Sequence, residues 1–76
     1  SLSFGKADAV MVIASEPALA DAAATAGANR VNNCSDLSKG IDFLRNVPEI
    51  SGAIIIKDQK IAIWGEVELT RVNVSH

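Results

Sequence analysis

Two apolar runs constrain this chain more than any other feature of it. Ala9-Val-Met-Val-Ile-Ala14 and, after Gly52, Ala53-Ile-Ile-Ile56 carry apolar side chains at odd and even positions alike. Successive side chains of a strand point to opposite faces, so a strand with one face in water alternates apolar with polar. A strand that does not alternate is suited to cover on both faces, the pattern typical of a parallel sheet flanked by helices. The sequence therefore predicts an α/β protein with these two runs at the centre of a small open sheet.

The segments between and after the runs supply the helices and the rest of the sheet. Ser15 reads as an N-cap, Glu16 suits the positive end of a helix, and Pro17 fits a first turn that needs no donor. Ala18 to Ala26 has high helix propensity, and Gly27 is a natural stop. Asn29 to Asn33 reads as a weak edge strand. Ser35 or Asp36 caps a second helix with Leu37, Ile41 and Leu44 at the i, i+4, i+7 spacing of a buried stripe, widened by Phe43 and Val47 and ended by Pro48. Gly40 weakens that helix by about 1 kcal/mol against alanine. Lys57 to Lys60 reads as a hairpin turn of about four residues before Ile61-Ala-Ile-Trp64. Gly65 marks a bulge or bend, and Glu66-Val-Glu-Leu69 alternates as a half-exposed strand does. The order is β-α-β-α-β-β, for which a flavodoxin-like strand arrangement with right-handed crossovers is the expected topology. Ile13, Ile41, Leu44, Ile55 and Ile63 are the expected core.

Seventy-six residues suffice for one small domain, residues 1–76, that buries only about 60% of its unfolded surface. Hydrophobic residues are 49% and charged residues 21% of the chain, and the mean hydropathy of +0.24 is too high for a disordered polymer. The net charge is −2, the seven basic residues are scattered, and there is no tyrosine to add to Phe4, Phe43 and Trp64. Neither a phosphate-neutralising patch nor a base-stacking platform is expected, so nucleic acid is not an expected partner. The longest apolar run is far short of the roughly 20 residues that span a bilayer, so no membrane insertion is expected. No basic segment precedes it as in a signal peptide. With one cysteine no internal disulfide can form, and a reducing cytoplasmic setting is expected. The chain opens on Ser1 rather than Met, as a trimmed or partial chain would.

Candidate sites are few. The Ser15-Glu16-Pro17 turn follows the first strong strand, where open α/β sheets bind phosphate, but it lacks glycine, carries a negative charge and loses a donor at proline. Asn32, Asn33, Cys34 and Ser35 cluster before the second helix and, with Ser15, are the positions that could hydrogen-bond a small ligand at the carboxyl edge of the sheet. Cys34 precedes a helix start, as some nucleophiles do, yet the only histidine, His76, is the last residue, so no base is at hand and a structural thiol is expected. One cysteine and one terminal histidine do not make a zinc site. Glu66 and Glu68 share a strand face, whose default is a solvated one. No catalytic constellation, cofactor motif or metal set is expected.

The alanine-rich helix offers small side chains in almost every direction, suited to tight packing on the sheet or to a close-approaching partner. Ala22 and Ala23 on this helix, and Glu66 and Val67 on the last strand, are the candidate interface positions. The expected function is a non-enzymatic interaction or regulatory module, a homo-oligomer or a subunit of a larger assembly. A small-ligand-binding or enzymatic domain using the Asn32 to Asp36 edge is the alternative.

The spacing of Val10-Met-Val-Ile13, Ala26-Gly27-Ala28, Asp36-Leu37 and Ile50-Ser-Gly-Ala-Ile-Ile-Ile56 resembles the N-terminal half of the small regulatory F subunit of archaeal and vacuolar rotary ATPases. The resemblance spans about Ala9 to Ala62. It implies a strand, a helix closing on Ala-Gly, a weak strand, an acidic helix and an apolar strand. It departs at Ser15-Glu16, where that family has a glycine-acidic turn, and after Ala62, where it has a helix. It carries no functional residues across.

Overall fold

A computed structural model describes residues 2–3 and 6–65. These form a small α/β domain in which two helices lie against an antiparallel open sheet. Strands β1 (Leu2–Ser3), β2 (Ala9–Ala14), β3 (Ile50–Lys57) and β4 (Lys60–Gly65) lie side by side in that order. Helices α1 (Pro17–Ala28) and α2 (Leu37–Arg45) connect β2 to β3. Every neighbouring pair of strands is antiparallel.

The parallel, flavodoxin-like arrangement is therefore not the one observed. Its second strand is missing: Asn29 to Asn33 follow the end of α1 in irregular conformation, and Cys34–Asp36 form a single 3-10 turn. Without a strand between the helices, the chain crosses the sheet once with α1 and returns with α2. β3 then enters beside β2 running the opposite way. The half-exposed strand expected at Glu66 to Leu69 lies outside the described residues.

α1 buries its small residues, not a large stripe. Ala20, Ala23, Ala24, Gly27 and Ala28 occupy one face at helical spacing, so the helix sits close on β2 and on α2. Asp21 and Thr25 point outward, the Thr25 hydroxyl donating to the Asp21 carbonyl oxygen at 3.1 Å. The N-cap is Glu16 with no side-chain bond, one residue later than Ser15, and Pro17 takes the first helical position. At the other end Arg30 donates to the Ala26 carbonyl oxygen at 3.0 Å and stacks 3.8 Å from the centroid of Phe43. The guanidinium thus satisfies an end of α1 and ties it to α2 by a cation–π contact.

The core forms between the helices and one face of the sheet. Val10, Val12, Val31, Leu44, Ala53 and Ile55 are almost fully buried. Of the five expected core residues, Leu44 and Ile55 are buried and Ile41 is half-buried. Ile13 and Ile63 are instead 38% and 48% exposed, because both fall on the sheet face opposite the two described helices. Gly40 has a use that its low helix propensity hides. A Cβ there would stand 2.7 Å from Ile55 Cδ1 and 2.8 Å from Val31 Cγ2, so the glycine lets α2 settle onto β3.

The β3–β4 hairpin turns on two residues, not four. Lys57 pairs with Lys60, and Asp58 and Gln59 have φ of 53° and 66°, the two positive values of a type I′ turn. Asp8 Oδ2 accepts from the Asp58 backbone N–H at 3.0 Å, and Lys57 donates to the Lys6 carbonyl oxygen at 2.7 Å. Glutamine lacks the local side-chain bonding that eases aspartate into the left-handed region. Gln59→Gly is expected to stabilise the chain by about 0.5–1 kcal/mol, read as a higher urea midpoint at unchanged slope. An unchanged or lower midpoint would argue against this turn type.

Candidate functional site

The polar candidates do not assemble. Ser15 precedes α1 and the 32–36 segment follows it, so about 18 Å of helix separates them, at 1.5 Å per residue. An antiparallel sheet has no common carboxyl edge, because neighbouring strands end on opposite sides. The end of α1 meets the start of β2, where the Ala7 N–H donates to the Ala28 carbonyl oxygen at 3.1 Å.

The Asn32 to Asp36 loop bonds to itself. Asn33 Oδ1 accepts from the Ser35 backbone N–H at 3.1 Å and from the Ser35 hydroxyl. Asp36 Oδ2 accepts from the Asn32 backbone N–H at 3.0 Å. Asn33 thereby caps the 3-10 turn that leads into α2, as such residues commonly do, whereas the N-cap of α2 itself, Asp36, makes no side-chain cap bond. Cys34 is a free, half-buried thiol packed against the core. Cys34→Ser is expected to change stability by less than about 1.5 kcal/mol and to leave the fold intact, as far-UV circular dichroism and a urea titration would show. A collapse of the fold would give the thiol a larger structural role than its partial burial indicates. Among the described residues no group of three or more His, Cys, Asp or Glu stands close enough to hold a metal ion.

Of the interface candidates, Ala22 is exposed and Ala23 is buried under α1 at 6% exposure. Ala23 thus belongs to the core, and the alanine face serves the fold. Glu66 and Val67 lie outside the described residues.

The surface that does form is the sheet face opposite the helices, which the candidate residues missed. The register aligns Met11, Ile54 and Ile63 in one row across β2, β3 and β4, and Ala9, Ile56 and Ile61 in another. Met11 is 43% exposed, Ile61 61% and Ile63 48%, with Ile54 and Ile56 half-buried between them. Isolated apolar residues on a surface need no explanation, whereas a contiguous set in register marks a place where something docks. The signal was present in the sequence as the lack of alternation in Ala9 to Ala14, Ala53 to Ile56 and Ile61 to Trp64.

Comparison with known proteins supplies a family for this chain. A family model described as AbpE bacteria matches residues 1–63. The chain belongs to that AbpE family. It is also 42% identical over 77 residues to a UPF0280 protein of Methanocella arvoryzae, a match that covers all of this chain and 31% of the relative. A UPF0280 protein of Methanosarcina barkeri is 41% identical over 78 residues, with the same coverage. One of Methanothrix thermoacetophila is 43% identical over 67 residues, covering 88% of this chain and 28% of its own length. The chain thus spans about a third of the length of the curated relatives it matches. No solved structure matches it. The resemblance to the rotary ATPase F subunit gives way to this AbpE assignment, in keeping with the missing strand at Asn29 to Asn33. No described helix is long and apolar enough to cross a membrane.

Proposed function

We propose that this AbpE-family chain is a non-enzymatic protein-interaction module, working as one layer of a larger assembly or as a homo-oligomer in the cytoplasm. One observation carries the reading: the sheet face opposite the described helices presents Met11, Ile13, Ile61 and Ile63, each at least 38% exposed, with Met11 and Ile63 in register with Ile54 and Ile61 in register with Ile56. In an antiparallel sheet with one solvated face these outward positions are normally polar. Leaving them apolar costs solubility unless a protein surface covers them. The alternative, a ligand or catalytic site at Asn32 to Asp36, has less support, because the polar groups of that loop are engaged with one another.

Light scattering on the 76-residue chain tests the proposal, together with the fluorescence of an apolar dye. The chain is expected to associate with rising concentration and to bind the dye. Replacing Ile61 and Ile63 together by lysine is expected to abolish both while keeping the circular dichroism spectrum. A chain that stays monomeric, binds no dye and is unaffected by the double replacement would refute it.

A further inference from the structure

The apolar runs Ala9 to Ala14 and Ala53 to Ile56 ask for cover on both faces, and the described helices cover only one. Met11 and Ile13 on β2, Ile54 and Ile56 on β3, and Ile61 and Ile63 on β4 all point away from the helices, and none of these outward positions holds a charge. Strands facing water on one side keep the apolar-in, polar-out alternation. Strands at the centre of three layers lose it. These strands have lost it, on a face that is nonetheless 38–61% exposed at its four most accessible positions.

The size of the face indicates what covers it. Strands β2, β3 and β4, about 4.8 Å apart and each contributing about five residues at roughly 3.3 Å, give a flat footprint on the order of 250 Å², which the two-residue β1 extends only beside Met11 and Val10. A stable interface between separate chains takes about 800 Å² from each partner. A patch this small holds a second copy weakly. It holds a tethered layer well, because a covalent link supplies the high effective concentration that a separate partner lacks. The relatives provide such a link: about two thirds of their length lies outside the stretch matched by this chain.

We propose that the Met11–Ile54–Ile63 face is the buried centre of a three-layer domain in the full-length proteins of this family. It is covered there by an apolar sheet or helix layer formed from the same polypeptide outside the matched stretch. The proposal rests on the reading of this face as an interaction surface and names its occupant. Among the described residues of this chain the face stands open. In the family-length protein it is dry, and the non-alternating runs are the sequence trace of that second cover.

Thiol labelling tests this. The 77-residue matched stretch of the Methanocella arvoryzae relative is replaced by these 76 residues carrying Cys34→Ser, and Ile63→Cys or Ile61→Cys is added. Maleimide labelling at the new cysteine is followed by peptide mass spectrometry in this chimera and in the 76-residue chain, the latter at dilutions where light scattering shows a monomer. Both rates are normalised to the same site unfolded in urea. Labelling in the chimera is expected to be about 100-fold slower or more, the protection given by a packed layer that opens rarely. Equal rates in the two proteins would overturn the proposal. So would protection that appears only in the 76-residue chain and grows with its concentration, which would make a second copy the occupant. Should the chimera not fold, cysteine at the position of the native relative aligned with Ile63 gives the same comparison. Rapid labelling in the chimera together with dye binding by the 76-residue chain would refute this occupant alone, whereas absent dye binding and absent association would refute the broader reading.

Discussion

Leu44→Ala is expected to cost about 2–5 kcal/mol, a large share of the whole stability of a domain this size, which at about 0.05–0.15 kcal/mol per residue comes to roughly 4–11 kcal/mol. Leu44 is fully buried where the two helices and the sheet meet. Its methyl groups lie so close to α1 that a Cβ on Gly27 would stand 3.2 Å from Cδ1. Small residues line the opposing helix face, so little neighbouring side-chain volume is available to move into the cavity. The measurement is a urea or thermal unfolding curve. A midpoint within error of the parent would mean that Leu44 does not occupy the centre of the core.

Gly65→Ala is expected to be comparably damaging, by about 2–5 kcal/mol, the sum of left-handed strain and a backbone overlap. Gly65 has φ of +83°, and a Cβ there would stand 2.2 Å from the Ser51 carbonyl oxygen and 2.8 Å from Gly52 Cα. Both contacts are backbone, so no rotamer change relieves them. The cause is the irregularity opposite: the β2–β3 register shifts between Ile13 and Ala14, which pair with Gly52 and Ile50 and leave Ser51 as the extra residue. β4 crosses that bulge at Gly65, which pairs with Gly52. The expected readout is a lower unfolding midpoint with a red shift of emission from Trp64, the only tryptophan, half-buried beside the core. A variant with the parent's midpoint and emission would show that β4 does not pass over Ser51.

The places where sequence reasoning held share one physical basis: local patterns with a single structural solution. The helix stripe through Leu37, Ile41 and Leu44 was legible because its 3.6-residue spacing has only one element that uses it. The apolar runs at Ala9 and Ala53 were legible as strands because β-branched residues fill a pleated surface well. The hairpin around Lys57 to Lys60 was legible from a polar break between two such runs, though its length was not. Turn length depends on which residues accept positive φ, and Asp58-Gln59 lacks the usual glycine.

The candidate site was barely legible, because its residues are ordinary one by one. Ile61 and Ile63 form a surface with Met11 only through pairing of strands about fifty positions apart. Asn32, Asn33 and Ser35 read as a polar site, and the structure places them in a turn where Asn33 accepts from Ser35 and the Asn32 backbone N–H donates to Asp36.

The residue pattern was enough to establish which segments are strands and helices, and that the strands want apolar cover on both sides. It was silent on strand direction. A non-alternating run suits the middle of a parallel sheet and the middle of a three-layer antiparallel one equally, since each side chain meets only an apolar neighbour in either case. Direction followed from how the two helices pack. Small faces on α1, and Gly40 on α2, let both helices lie side by side on the same face of the sheet, and the chain then had to return antiparallel. That packing buried Leu44 and Ile55 and left Ile13 and Ile63 open, a division between residues of the same type that depends on contacts remote in the chain.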